Sequence, residues 1–182
     1  MTILIILAII AIIIIGGLTI YNGLVRKRLT AQEAFSTMDV YLKKRHDLIP
    51  NLVETVKGYA KHESETLEGV IKARNSAISA TGDARIESEN QLTQALGRLF
   101  ALSEAYPQLK ADTQFTGLQN QLTKVEDDIA QARKYYNGTV RQYNEKCMVV
   151  PSSIIAAMFH FEQMPYFEVA NNAERENVQV KF

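Results

Sequence analysis

The sequence predicts an all-α protein in which an N-terminal transmembrane helix leads into a helical domain. Three observations predict it. From Met1 to Val25 there is no charged side chain, and 19 of these 25 residues are apolar. Beyond that segment apolar residues recur at alternating steps of three and four, the spacing of one helix face. With 9 Gly, 4 Pro and no Trp in 182 residues, the turn-rich composition of a β-sandwich is missing. The 20 Lys and Arg balance the 20 Asp and Glu, so no basic excess exists to neutralise phosphates, and no nucleic-acid partner is expected.

Ile3 to Ile15 is an unbroken run of Ile, Leu and Ala, and apolar character resumes after Gly16-Gly17. A helix of 25 residues rises roughly 37 Å against a hydrocarbon core of about 30 Å, so it can span a bilayer. Ile3, Leu7, Ile10, Ile14, Leu18 and Ile20 are its expected lipid contacts. Met1-Thr2 offers no basic n-region and no A-x-A cleavage pattern follows, so the segment is expected to persist as an uncleaved anchor. Arg26-Lys27-Arg28 follows at once and Lys43-Lys44-Arg45 soon after, which by the positive-inside rule puts the C-terminal part in the cytoplasm and the N-terminus outside.

Residues 26–162 are expected to form one helical domain, because no low-complexity linker interrupts them. A single stripe runs from Ala31 through Met38, Leu42, Arg45, Ile49, Val56, Ala60, Glu63, Leu67, Val70 and Arg74 to Ala77, in phase across Pro50. That continuity favours one long kinked helix ending near Gly82-Asp83, although Asp47 could also cap a second helix with Pro50 in its first turn. The next stripe, Leu92, Ala95, Leu99, Leu102 and Tyr106, must stop before Pro107. Phe115 to Tyr143 carries nine apolar seam positions over almost thirty residues, a coiled-coil-like helix expected from Asp112 to Lys146. Pro151 opens a short apolar helix. Residues 163–182 read as an extended tail on the bundle, with period two in Val178 to Phe182.

No residue nominates itself for chemistry. His46, His62 and His160 are preceded three positions earlier by Lys43, Tyr59 and Ala157, so the Glu-x-x-His ligand pairs of helical di-iron sites are missing. His62-Glu63 begins like the helical zinc signature, but Thr66 stands where its second His belongs. The single Cys147 excludes an intramolecular disulfide. Neither a catalytic site, a metal nor a cofactor is therefore expected. Charge on the stripes is the notable feature: Arg45, Glu63 and Arg74 face the core by phase, and Glu126 and Arg133 border the long seam. Unpaired buried charges cost several kcal/mol, so these five are expected to pair between helices, for instance Glu63 with Arg133 and Arg74 with Glu126.

Several segments together resemble the LemA family. They are Tyr21-Asn22 just after the span, Arg45-His-Asp-Leu-Ile-Pro-Asn-Leu-Val53, Val56-Lys-Gly-Tyr-Ala-Lys-His-Glu63, Ala73-Arg74, Glu104-Ala-Tyr-Pro107, Val125 to Asn137, and Tyr143-Asn144. One departure is Val150, where the family tends to carry an aromatic residue before the proline. The resemblance implies a single-span protein of the bacterial cytoplasmic membrane carrying an elongated antiparallel up-and-down helical bundle, and it implies no catalytic residue. The expected function is a non-enzymatic scaffold, homo-oligomeric about the membrane normal, acting on the bilayer or on a membrane-protein partner. The alternative is an adaptor of a membrane protease, with Phe159 to Phe167 as its candidate groove.

Overall fold

The computed structural model of the protein describes residues 1–168, and among these it contains six helices and no strand. They are α1 (Thr2–Tyr59), α2 (Ser64–Ser79), α3 (Asp83–Ser103), α4 (Pro107–Lys110), α5 (Thr113–Met148) and α6 (Ser152–Met158). The expected end of the tail, Val178 to Phe182, lies outside the described residues.

The long stripe misplaced one boundary. Pro50 lies inside α1 without ending it, whereas the helix stops at Tyr59 and the turn Ala60–Glu63 leads into α2. Ala60, Leu67, Val70 and Ala77 are all buried, so the stripe keeps its phase through a four-residue turn and serves two helices. Gly58 is the only local cue. Asp47 is no cap either: it sits mid-helix and exposed, 3.8 Å from Lys43 one turn back. The other boundaries follow local chemistry. Tyr106 precedes the proline that opens α4, and the Asp112 carboxylate caps α5 by accepting the Phe115 N–H at 2.8 Å.

The described residues group into two compact units. The first comprises residues 1–40 and 129–166. Leu24, Ala31, Ala34 and Met38 of α1 form its core together with Ile129, Ala132, Tyr136, Val140 and Tyr143 of α5, and Ala156 of α6. The two long helices run antiparallel here, with Phe35 edge-on to Tyr136 at 5.5 Å and the Lys27 amine donating to the Gln142 side chain. After α6 the chain returns along α5 without regular structure, and a helix-facing row of neutral side chains satisfies its backbone. The Tyr143 hydroxyl donates to the Glu162 carbonyl (2.8 Å), the Asn144 amide exchanges two bonds with Met164 (2.9 Å each), and the Tyr136 hydroxyl donates to the Pro165 carbonyl (2.9 Å).

The second unit comprises residues 41–128 and, of the segment that follows Tyr166, the described Phe167 and Glu168. Its core joins Ile49, Leu52 and Val56 of α1, Leu67 and Val70 of α2, Leu92 and Leu99 of α3, Leu109 of α4, and Phe115 and Leu122 of α5. Phe167 is buried, and the Asn90 amide donates to the Glu168 carbonyl at 2.9 Å.

Candidate functional site

The charges expected on the stripes lead to the most unusual part of the second unit, a polar layer inside its core. Arg45 of α1 is fully buried, as its stripe position requires. Its guanidinium donates from Nη1 to the Thr93 hydroxyl and to Glu126 Oε1, both at 2.8 Å, and from Nη2 to the Glu89 carboxylate and carbonyl. Glu89 of α3 is also fully buried, and the His46 imidazole lies 3.1 and 3.2 Å from its two oxygens. Burial alone would raise the Glu89 carboxyl, but the His46 contact and the Arg45 charge together outweigh it and hold the group below its ordinary range. The anion is therefore the resident form.

Pro50 explains a second member of this layer. In a helix the N–H of residue 50 would bond the carbonyl of residue 46, and proline has no N–H, so the His46 carbonyl is left without its helical donor. Arg74 of α2 supplies one: its Nε donates to that carbonyl at 2.7 Å. The guanidinium of one helix thus replaces the amide that the proline removes from another. A Pro inside α1 and an Arg on the stripe of α2 are two halves of one arrangement.

The specific pairings expected from spacing are corrected here. Arg74 bonds the His46 carbonyl and not Glu126, whose Oε1 is taken by Arg45. Glu63 accepts a hydrogen bond from the Tyr106 hydroxyl at 3.1 Å instead of an ion pair from Arg133, which sits half-buried on α5 in the first unit. Glu89 went unnoticed in the sequence although a signal was there: it lies three residues before Leu92, one step back along the α3 stripe. His46 and Thr93 had no such signal, since each is polar and off the expected stripe.

This layer holds charge in place inside the core. Two surface grooves lie in the same unit, and neither is lined by Arg45, His46 or Glu89. One, of about 740 Å³, runs between α1 and α2 over Pro50, Val53, Leu67 and Ile71, with Lys57 and Lys72 at its rim. The other, of about 410 Å³, is lined by Lys44, Asp47, Leu48, Gln121, Lys124 and Asp128 among others. Among the described residues no three His, Cys, Asp or Glu side chains gather closely enough to hold a metal ion.

The anchor residues all lie on the first part of α1. Ile3, Leu7, Ile10, Ile14 and Leu18 are exposed and Ile20 is half-buried, and this is the one helix long and apolar enough to cross a membrane among the described residues. Phe167 is buried in the second unit, while Phe159 and Phe161 flank Tyr21 of the first at 4.8 and 5.5 Å.

Comparison with known proteins agrees with this architecture. The chain is 25% identical to Protein LemA of Metamycoplasma hominis, over 86% of this chain and 72% of that protein. It is 24% identical to the magnetosome protein MamQ of Magnetospirillum gryphiswaldense and 25% identical to magnetosome protein MamQ 2 of Paramagnetospirillum magneticum, in each case over 81% of this chain. It spans just under two thirds, 64%, of the length of each MamQ relative. The LemA family pattern matches residues 34–182, beginning after the apolar segment. With its exposed apolar helix and all-helical units, the chain is a membrane-associated helical protein, and it belongs to the LemA family.

Proposed function

We propose that the protein is a non-enzymatic, membrane-anchored scaffold that self-associates and acts on the bilayer or on neighbouring membrane proteins. One observation carries this reading: α1 passes from its exposed apolar stretch into the core of the first unit without a break. Leu24 is buried against the packed helices one residue before the expected end of the span, so no flexible linker separates the anchor from the domain. Rotation or clustering of the anchor is then transmitted to the helices packed on it.

Anchoring also confines every copy to two dimensions in one orientation, which raises the effective concentration for side-by-side contacts. Closed symmetry about the membrane normal follows, because a two-fold axis in the membrane plane would put one domain on the wrong side. The domain lies in the cytoplasm of a bacterial cell by the basic cluster Arg26 to Arg28. Light scattering on mild-detergent extracts tests the proposal. A mass of several chains, stable over a tenfold dilution and reduced by deleting Met1 to Val25, supports it. A monodisperse monomer would overturn it and favour the adaptor reading, for which the groove between α1 and α2 offers a surface.

A further inference from the structure

Outside residues 1–25, twelve large apolar side chains are exposed among the described residues, and six of them fall within residues 148–159. They are Met148, Val149, Val150, Ile154, Met158 and Phe159, with Val150 at 78% and Met158 at 63% exposure. A cluster of this density at one end of a helical hairpin is not the scattered exposure common on soluble surfaces. Its inner side is accounted for: Ser152 and Ala156 are buried, and only the outer side of α6 lacks a partner among the described residues.

Its position within the first unit says what covers it. A Cβ built on Gly17 would lie 3.9 Å from Ile155 of α6, and Phe159 and Phe161 pack edge-on against Tyr21. The tip therefore stands beside the last turns of the apolar stretch of α1, next to the exposed Ile14, Ile15 and Leu18, so the two apolar surfaces are continuous. The first cation of α1, Arg26, comes five residues after Tyr21 and nine after Gly17, about 7 to 13 Å along the axis. Cations of both helices lie beyond the tip along α1. The Lys146 amine of α5 lies 4.0 Å from a Cβ built on Gly23, and Lys27 reaches Gln142. An apolar tip set this far beneath the Lys and Arg side chains of two helices has the depth of a helix lying at the headgroup and acyl boundary.

We propose that the α5–α6 turn and α6 form a second membrane contact, inserted in the interfacial layer of the bilayer that α1 spans. The inference rests on reading residues 1–25 as the anchor. With two points of contact, the first unit is held at a set tilt and rotation, where a lone span would let it swivel. Tyr21, with its ring between Phe159 and Phe161 and near the headgroup level, joins the two contacts.

The chain has no tryptophan, so a single one reports its own surroundings. Full-length Ile154→Trp, Leu7→Trp and Thr123→Trp would be reconstituted in vesicles of phosphatidylcholine and phosphatidylglycerol. Quenching would then be measured with acrylamide in the water and with lipids brominated near the headgroup or deep in the chains. Tryptophan at 154 should be quenched by the shallow bromines and at least about threefold less by acrylamide than tryptophan at 123, while tryptophan at 7 answers to the deep bromines. If position 154 matches 123 while position 7 is quenched by lipid, the tip is in water and the inference fails with the anchor intact. Shielding of position 154 from both quenchers would overturn it in favour of a protein surface covering the tip. Acrylamide access at position 7 without lipid quenching would overturn the anchor and the tip together.

Discussion

The two units solve the same problem, polar groups among packed helices, with opposite chemistry. In the second unit a layer carrying the charges of Arg45, Glu89 and Glu126, with His46 beside Glu89, lies between helices, and Arg45 and Glu89 are fully buried. In the first, neutral donors from Tyr136, Tyr143 and Asn144 hold the carbonyls of a returning backbone segment. Charge pairs in a core are costly to break because the survivor stays buried and unpaired, whereas a lost neutral bond costs the smaller penalty of one group. The comparison teaches that the second unit is where single substitutions and acid act most strongly, and the first is where the fold tolerates change.

The largest expected effect tests that contrast directly. Arg45→Met should destabilise the second unit by about 3 to 5 kcal/mol, because it strands the Glu89 carboxylate, and adding Glu89→Met should recover much of the loss. Urea unfolding of the two single variants and the double variant measures the coupling, and additive losses would erase the distinction drawn between the units. The same cluster sets the response to acid. Because the Glu89 carboxyl is depressed in the folded state, its contribution is present above its unfolded value near 4.5 and is lost as pH falls below that through the folded value. The stability of the second unit should therefore fall between pH 5 and pH 3 more than that of the first, followed through Trp probes placed in each, and Glu89→Gln should flatten the difference.

The next effect sharpens the role of the proline. Arg74→Leu should cost about 1 to 3 kcal/mol by leaving the His46 carbonyl without a donor. In a Pro50→Ala background the restored amide can bond that carbonyl, so the same substitution should cost clearly less. An equal cost in both backgrounds would separate Arg74 from Pro50. In the first unit Tyr143→Phe should cost about 1 kcal/mol, since one neutral bond to the Glu162 carbonyl is lost. A loss as large as that of Arg45→Met would break the comparison from the other side.

The smallest effect has the opposite sign. His160 has φ 54° and ends α6, with the Phe161 N–H bonded to the Ala156 carbonyl at 2.9 Å and the His160 N–H to the Ala157 carbonyl at 3.4 Å. That pattern places a left-handed residue where glycine is favoured, so His160→Gly should raise stability by about 0.5 to 1 kcal/mol, read from the urea midpoint.

Which residues are inside was largely legible in the sequence. All nine seam positions of α5 from Phe115 to Tyr143 are buried, the start of that helix is set by Asp112, and Arg45 is buried as its phase demands. These are properties of one helix at a time: periodicity states a face, a capping side chain or a proline states an end, and a charge-free run of Ile and Leu states an affinity for lipid. Neighbours were not legible. The turn Ala60–Glu63 carries no strong breaker, and Gly58 before it is too weak a cue to place the end of α1. Glu89 and Glu126 as the partners of Arg45, Tyr106 instead of Arg133 as that of Glu63, and the His46 carbonyl instead of Glu126 as that of Arg74 are choices made by which helices face each other at which height. A stripe gives the direction in which a side chain points, and the tertiary structure alone decides what it meets, because pairing depends on distances between segments far apart in the chain.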